Sequence, residues 1–279
     1  AEYFINDSWS FKSVTAAREN YSPTNIDFDN TPLQIFDVPA IYDDEQFSQE
    51  FQLNYNDDNL TLASGLYYFD SESCGHYDAI IFQSLTAEKS GCNNSESYAV
   101  YAQGSYNLTD ALSFTLGARY TKEEKKANVN DNLHFSIEYP ESGWIPGYVR
   151  GDLPVTEVLN GKKTWSRFTP KVGIEYQVDD DMMVFASYSQ GFKSGTFNPR
   201  ASTNEPAVNP EIVDSVEIGI KSEWFDQLRV NATVFALEHK DRQYKSVVPN
   251  EDPAVLDSRL VNQKRSVLSL RCNMRQQNR

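Results

Sequence analysis

Tyr98-Ala-Val-Tyr-Ala-Gln-Gly-Ser-Tyr106, then Asn-Leu-Thr-Asp-Ala, then Leu112-Ser-Phe-Thr-Leu-Gly-Ala-Arg-Tyr120 is the stretch whose reading decides the fold. One face of its first half reads Tyr98, Val100, Ala102, Gly104, Tyr106, and the other reads Ala99, Tyr101, Gln103, Ser105. After the turn, Leu112, Phe114, Leu116, Ala118 and Tyr120 alternate with Ser113, Thr115, Gly117 and Arg119. A period of two that survives a tight turn identifies two antiparallel strands, because a slip of one residue would invert every side chain.

Working outward, the same alternation recurs. Phe47, Phe51, Leu53 and Tyr55 oppose Ser48, Glu50, Gln52 and Asn54, and Val172, Ile174 and Tyr176 oppose Lys171, Gly173 and Glu175. Val184, Ala186 and Tyr188 oppose Ser187 and Ser189; Val216, Ile218 and Ile220 oppose Glu217, Gly219 and Lys221; Leu228, Val230, Ala232 and Val234 oppose Arg229, Asn231 and Thr233. This gives about ten strands, with a further stub from Tyr244 to Val248, each long enough for a tilted membrane strand. Tight turns fall at Asn6-Asp7-Ser8, Asn56 to Asn59, Asn107 to Asp110, Val178 to Asp181 and Trp224 to Gln227. Between them lie connections of roughly 20 to 40 residues, far above the usual few in compact domains. One end of the sheet is trimmed and the other elaborated, as in outer-membrane β-barrels.

Composition agrees. Aromatics make up 13% of the 279 residues, and Trp9, Tyr55, Tyr106, Tyr120, Trp165, Tyr176 and Trp224 stand at segment ends, where interfacial girdles sit. No run approaches the ~18 apolar residues of a transmembrane helix. A mean hydropathy of −0.57 is neutral between a soluble protein and a barrel with a polar lumen. The net charge of −15 argues against a nucleic-acid partner. Runs such as Asp43-Asp44-Glu45 and Asp179-Asp180-Asp181 read as a solvated surface and lack calcium-loop spacing.

Chemistry-bearing residues are sparse. His76 and His134 lie in long connections, His239 lies at a strand end, and no nucleophile-elbow spacing supports a set such as Ser187, His239 and Glu217. There is no His-x-x-x-His pair or Cys-x-x-Cys, so the sequence indicates no catalytic residue, no metal ligand and no cofactor. Cys74 and Cys92 share one long connection; in an oxidising compartment they would close it as a disulfide worth about 3 kcal/mol, the alternative being two free thiols. Cys272 has no evident partner.

Ligand recognition falls to the long connections. Trp144, Tyr148, Arg150 and Trp165 could stack on an aromatic chelator and pair with anionic groups, with Phe192, Lys193 and Arg200 joining from the next loop. Packing within the loops is the other reading. Arg119, Lys171, Glu175, Glu217, Lys221 and Arg229 fall on the polar face and would line a lumen, as receptors of charge or as wall ion pairs.

Several runs together resemble the barrel of TonB-dependent outer-membrane receptors, in particular the siderophore-receptor branch. They are Tyr98 to Tyr120, Phe168-Thr-Pro-Lys-Val-Gly-Ile-Glu-Tyr176, Val184-Phe-Ala-Ser-Tyr-Ser-Gln-Gly-Phe-Lys-Ser-Gly195, Asn209-Pro-Glu, Glu217-Ile-Gly-Ile-Lys221 and Val230-Asn-Ala-Thr-Val-Phe235. The resemblance implies an all-β, antiparallel up-and-down transmembrane barrel, of which residues 1–257 supply ten to eleven strands of a twenty-two-stranded type. It implies a Gram-negative outer-membrane location among lipid, a ferric siderophore or similar nutrient as ligand, no enzymatic activity, and lumenal charges that face a plug. The family's TonB contact runs through that plug, which is missing from these residues. An open half-wall leaves two strand edges unsatisfied in lipid, so this stretch alone is not expected to insert as a working receptor.

Residues 258–279 carry six basic side chains and no acid, and no aromatic strand closes the chain. This segment is off-pattern: a truncated or frameshifted end, or a native basic tail. Two other readings remain beside the receptor fragment, a complete small outer-membrane pore or barrel enzyme and a soluble carbohydrate-binding β-sandwich.

Overall fold

The computed structural model describes residues 1–33, 35–82, 85–134, 156–225, 228–249 and 256–276. Eleven strands form one antiparallel sheet among them, each hydrogen-bonded to its neighbours in chain order. They are β1 (Glu2–Phe4), β2 (Trp9–Asp27), β3 (Phe36–Asn56), β4 (Leu60–Ile81), β5 (Leu85–Thr109), β6 (Leu112–His134), β7 (Glu157–Asp179), β8 (Met182–Lys193), β9 (Glu211–Trp224), β10 (Leu228–Pro249) and β11 (Leu256–Gln276). The sheet is up-and-down and unclosed, β1 and β11 being its edges. Among the described residues all strands belong to this one sheet, which sets aside the sandwich.

The trimmed end is built as the turn residues dictate. Asn6 Oδ1 accepts the amides of Ser8 and Trp9, Asp57 Oδ1 those of Asn59 and Leu60, and Thr109 Oγ1 those of Ala111 and Leu112. These side chains replace a backbone turn partner and let the chain reverse within a few residues. Phe225, in the turn after β9, has a positive φ of 57°.

The elaborated end corrects the sequence reading. Strands β2 to β7 run 19 to 25 residues, so most of each long connection is ladder rather than loop. Cys74 and Cys92 are direct cross-strand partners on β4 and β5, whose ladder continues to Ile81 opposite Leu85. The connection from Glu123 to Lys163 is likewise paired strand from Glu123 opposite Trp165 up to Val129 opposite Leu159. Alternation fades there because both faces are polar or locally covered, whereas the backbone ladder needs no side-chain pattern to continue. The stub from Tyr244 to Val248 is the upper part of β10. Leu256–Gln276, across the charge boundary at 257, pairs with β10.

Register sorts the side chains onto two faces. Phe51, Leu66, Val100, Tyr120 and Phe168 follow one another across β3 to β7, and Tyr106, Phe114, Ile174, Ala186, Ile218 and Val234 across β5 to β10. This apolar face is bare: Leu116 is 65% and Ile218 62% exposed. The opposite face carries rows such as Gln52, Gly65, Tyr101, Arg119 and Thr169.

Strands β8 and β9 are short, and their connection, residues 194–210, folds back onto the polar face as a strap. Phe197 and Ala201 of the strap join Ala127, Val129 and Leu159 in a buried cluster. Pairing of β7 with β8 stops at Lys171 opposite Ser189, although β7 extends back to Glu157.

Candidate ligand-binding face

The strap is held at both feet and along its length. At its first foot, the Ser194 hydroxyl donates to Glu123 Oε1 at 2.6 Å. Gly195 lies against the Trp165 ring, where a Cβ would stand 2.5 Å from Cζ2 and 2.2 Å from the Val208 carbonyl oxygen. Lys89 Nζ reaches the Ala201 carbonyl at 3.3 Å, the Ser202 hydroxyl at 3.0 Å and Asp131. The Arg200 guanidinium lies 5.2 Å from the Tyr77 ring centroid. Burial drives the Tyr77 hydroxyl up to about 12, against the pull of Arg200.

At the second foot, Gln243 Nε2 donates to the carbonyls of Ser194 and Asn209, both at 2.9 Å. Glu211 accepts from Lys193 Nζ at 3.0 Å, the Gln243 amide at 3.0 Å and His239 Nε2 at 2.7 Å. Partial burial works to raise its carboxyl, but these donors hold it below the ordinary range.

Below the strap, a cleft of about 480 Å³ is lined by Tyr67, Phe69, Arg119, Glu123, Gln190 and Phe192, among others. Arg119 is its cation. Its guanidinium lies 5.4 Å from the Tyr67 ring centroid and 5.8 Å from that of Tyr101, and Nε donates to Thr121 Oγ1 at 3.1 Å. Tyr101 is fixed in turn by donating to Glu50 Oε1 at 2.5 Å. A guanidinium stacked between phenol rings keeps its terminal N–H groups for a planar anion, and the rings offer faces to an aromatic one. Arg167 crosses the unpaired stretch between β7 and β8, donating from Nε and Nη2 to Gln190 Oε1 at 3.0 and 2.9 Å. A second cleft of about 260 Å³, with Tyr42, Tyr77, Lys89 and Arg200 among its walls, lies beside the strap.

The residues singled out from sequence are thus dispersed. Phe192 lines the cleft that contains Arg119. Arg200 belongs to the second cleft. Trp165 is buried beneath the strap with Lys163 Nζ 5.5 Å from its ring, and Lys193 is spent on Glu211. Trp144, Tyr148 and Arg150 lie outside the described residues. Lys171 sits opposite Gly117 and Ser189, Glu175 opposite Phe185, and Glu217 opposite Ser187, all on the Arg119 face. Lys221 Nζ is 5.6 Å from the Phe185 ring, and Arg229 pairs with Glu223 at 3.1 Å. Cys74 and Cys92 are joined as a disulfide. Tyr67, Tyr101 and Glu50 escaped the sequence reading; their shared parity with Arg119 was the available signal, but only register shows that they meet.

The family model of the TonB dependent receptor-like β-barrel matches residues 1–266. The chain belongs to that family. Its members are receptors and transporters of the Gram-negative outer membrane rather than enzymes. The chain is 26% identical over 164 residues to the ferric-pyoverdine receptor of Pseudomonas sp. strain M114, and 25% identical over 154 residues to the ferripyoverdine receptor of Pseudomonas aeruginosa. These matches take in 58% and 55% of this chain but only 16% and 15% of those receptors. Among solved structures, it resembles the ferric yersiniabactin uptake receptor FyuA from Yersinia pestis, with a TM-score of 0.74, 17% identity, and coverage of 97% of this chain and 38% of that one. The copper transporter OprC follows with a TM-score of 0.68 at 10% identity, covering 97% of this chain and 42% of its own. At such identities the likeness establishes the fold.

Proposed function

We propose that this chain forms part of the wall of an outer-membrane receptor that binds a ferric siderophore, or a similarly anionic chelate, for TonB-dependent import. In this arrangement the bare apolar face meets lipid, the trimmed end faces the periplasm and the strap end faces outward. Energy coupling belongs to a plug domain of the kind the family carries, not to these strands. The observation that carries the reading is Arg119, stacked between Tyr67 and Tyr101 at the floor of a cleft on the strap-bearing face. Ferric chelates are commonly anionic and often aromatic, and this cleft answers both properties. The pyoverdine receptors among the relatives lend support to the ligand class.

The test is a titration of a closed-barrel receptor that contains this chain, folded in detergent, with ferric catecholate and ferric hydroxamate chelates, followed by tryptophan fluorescence. One class should bind, and Arg119→Ala should weaken it at least ~10-fold, equivalent to about 1.4 kcal/mol. Equal affinity in Arg119→Ala, or binding by neither class, would overturn the reading.

A further inference from the structure

The cleft beside the strap is built by two glycines. Tyr42, Gly75 and Gly91 stand in one row across β3, β4 and β5, on the face that carries Tyr77 and Lys89 in one neighbouring row and Ser73 and Asn93 in the other. Adjacent residues without side chains open a hollow in that face, and Pro199 and Arg200 of the strap wall it from above. A Cβ at Gly75 would stand 3.2 Å from the Tyr42 ring, so this ring lies along bare backbone on one side. Tyr42 is nevertheless 37% exposed, which leaves aromatic surface open to the cleft.

The walls hold polar groups that the fold does not use. Among the described residues, the Arg200 guanidinium stacks on the Tyr77 ring and bonds to no carboxylate. The hydroxyls of Tyr42 and Tyr77 and the side-chain amide of Asn93 likewise bond to no other side chain. Two acids flank the cleft along the ladders, and both are engaged: Asp44 accepts from Ser73 and from Asn20 Nδ2, the latter at 3.2 Å, and Asp131 pairs with Lys89. What remains is a set of hydrogen-bond donors with a cation at one side and an aromatic face at the other.

A sugar ring presents weakly positive C–H bonds on its face and hydroxyls around its edge. The first suit the negative face of a phenol ring, and the second suit hydroxyl and amide partners. A carboxylate on the same ring suits the guanidinium. The cleft volume of about 260 Å³ lies below the ~300–1,000 Å³ usual for drug-sized ligands, which favours one small ring over a bulky metal chelate. We propose that this cleft binds a uronate, with the sugar ring against Tyr42 and the carboxylate on Arg200. The assignment does not rest on the chelate reading of the Arg119 cleft.

The experiment uses a closed-barrel receptor that contains this chain, folded in detergent, with saturation-transfer NMR of galacturonate, galactose and trigalacturonate. Galacturonate should bind with a Kd on the order of 1 mM, and galactose at least ~10-fold more weakly for want of the charged contact. A tighter trimer identifies an acidic glycan as the source, and an equal one the free sugar acid. Arg200→Gln should bring the two monosaccharides level, whereas mere loosening of the strap would weaken both and keep their ratio. Arg200→Lys should retain part of the preference. Tyr42→Leu, which leaves the strap untouched, should weaken both by about 3- to 10-fold. Arg119→Ala should change neither, which keeps this test apart from that of the chelate site. No saturation transfer to galacturonate, equal binding of galactose by the parent, a preference that survives Arg200→Gln, or loss of galacturonate binding in Arg119→Ala would each overturn the proposal.

Discussion

Gly65 pairs with Tyr101 across β4 and β5, and a Cβ there would lie 2.7 Å from the Tyr101 hydroxyl and 2.5 Å from the Phe51 carbonyl oxygen. The bare backbone is what allows the Tyr101 ring to lie across the wall and reach both Glu50 and Arg119. Gly65→Ala therefore displaces Tyr101, costs about 1–3 kcal/mol by overpacking, and loosens the Arg119 stack. A lower melting temperature in detergent, together with weaker chelate binding, checks this. Glu211 supplies a pH dependence of defined sign. Its carboxyl is held below the ordinary range in the fold, so its contribution is complete above the unfolded carboxylate pKa and is lost as pH falls through the lowered folded value. The second foot of the strap should stay closed through mild acid and open only beneath the usual carboxylate range. Protease cleavage of the strap as a function of pH, compared with Glu211→Gln, reads that threshold; no acid-side change in the parent would count against it.

At the scale of elements, the strap and the β4–β5 hairpin depend on each other. Phe197 fills the space above Gly161, where a Cβ would come within 2.3 Å of its ring, and it caps the cluster of Val129 and Leu159. Phe197→Ala should cost up to ~3–5 kcal/mol locally, seen as faster trypsin cleavage after Arg200 with the rest of the sheet intact. Opening the Cys74–Cys92 bond by Cys→Ser at both positions should cost about 3 kcal/mol or less, measured as a fall in melting temperature equal to that produced by reductant. These elements also mark where sequence stops being legible. The hairpin from Tyr98 to Tyr120 was readable because one face is apolar throughout. Beyond the apolar band, the pairing of Tyr77 with Arg200, or of Asp78 with Glu88, follows from register between strands that share no pattern. The cover over Trp165 is not legible from sequence, because a loop tryptophan and a strap-covered tryptophan have the same local sequence. The pairing of Lys193 with Glu211 is not legible either, because the strap separates them in the chain.

At the scale of the whole molecule, the bare apolar rows require a nonpolar solvent. Leu116 lies mid-row between Gly104 and Val172 and is 65% exposed. Leu116→Arg should cost about 2–4 kcal/mol if that row faces the bilayer centre, while the same change at Leu133, on the elaborated part of β6, should cost little. Denaturation in lipid vesicles compares the two; equal effects would contradict the assigned orientation. The incomplete seam between β7 and β8 has a mechanical consequence. From Glu157 to Pro170, β7 has ladder pairing with β6 alone among the described strands, and Arg167 reaches across the gap to Gln190. Under lateral tension, load would cross the full-length ladders from β2 to β7 but meet, at the upper part of the β7–β8 seam, a stretch with no backbone pairing to carry it. The first tear in the wall would therefore start beside the strap's own foot and run downward toward the Asp180 turn.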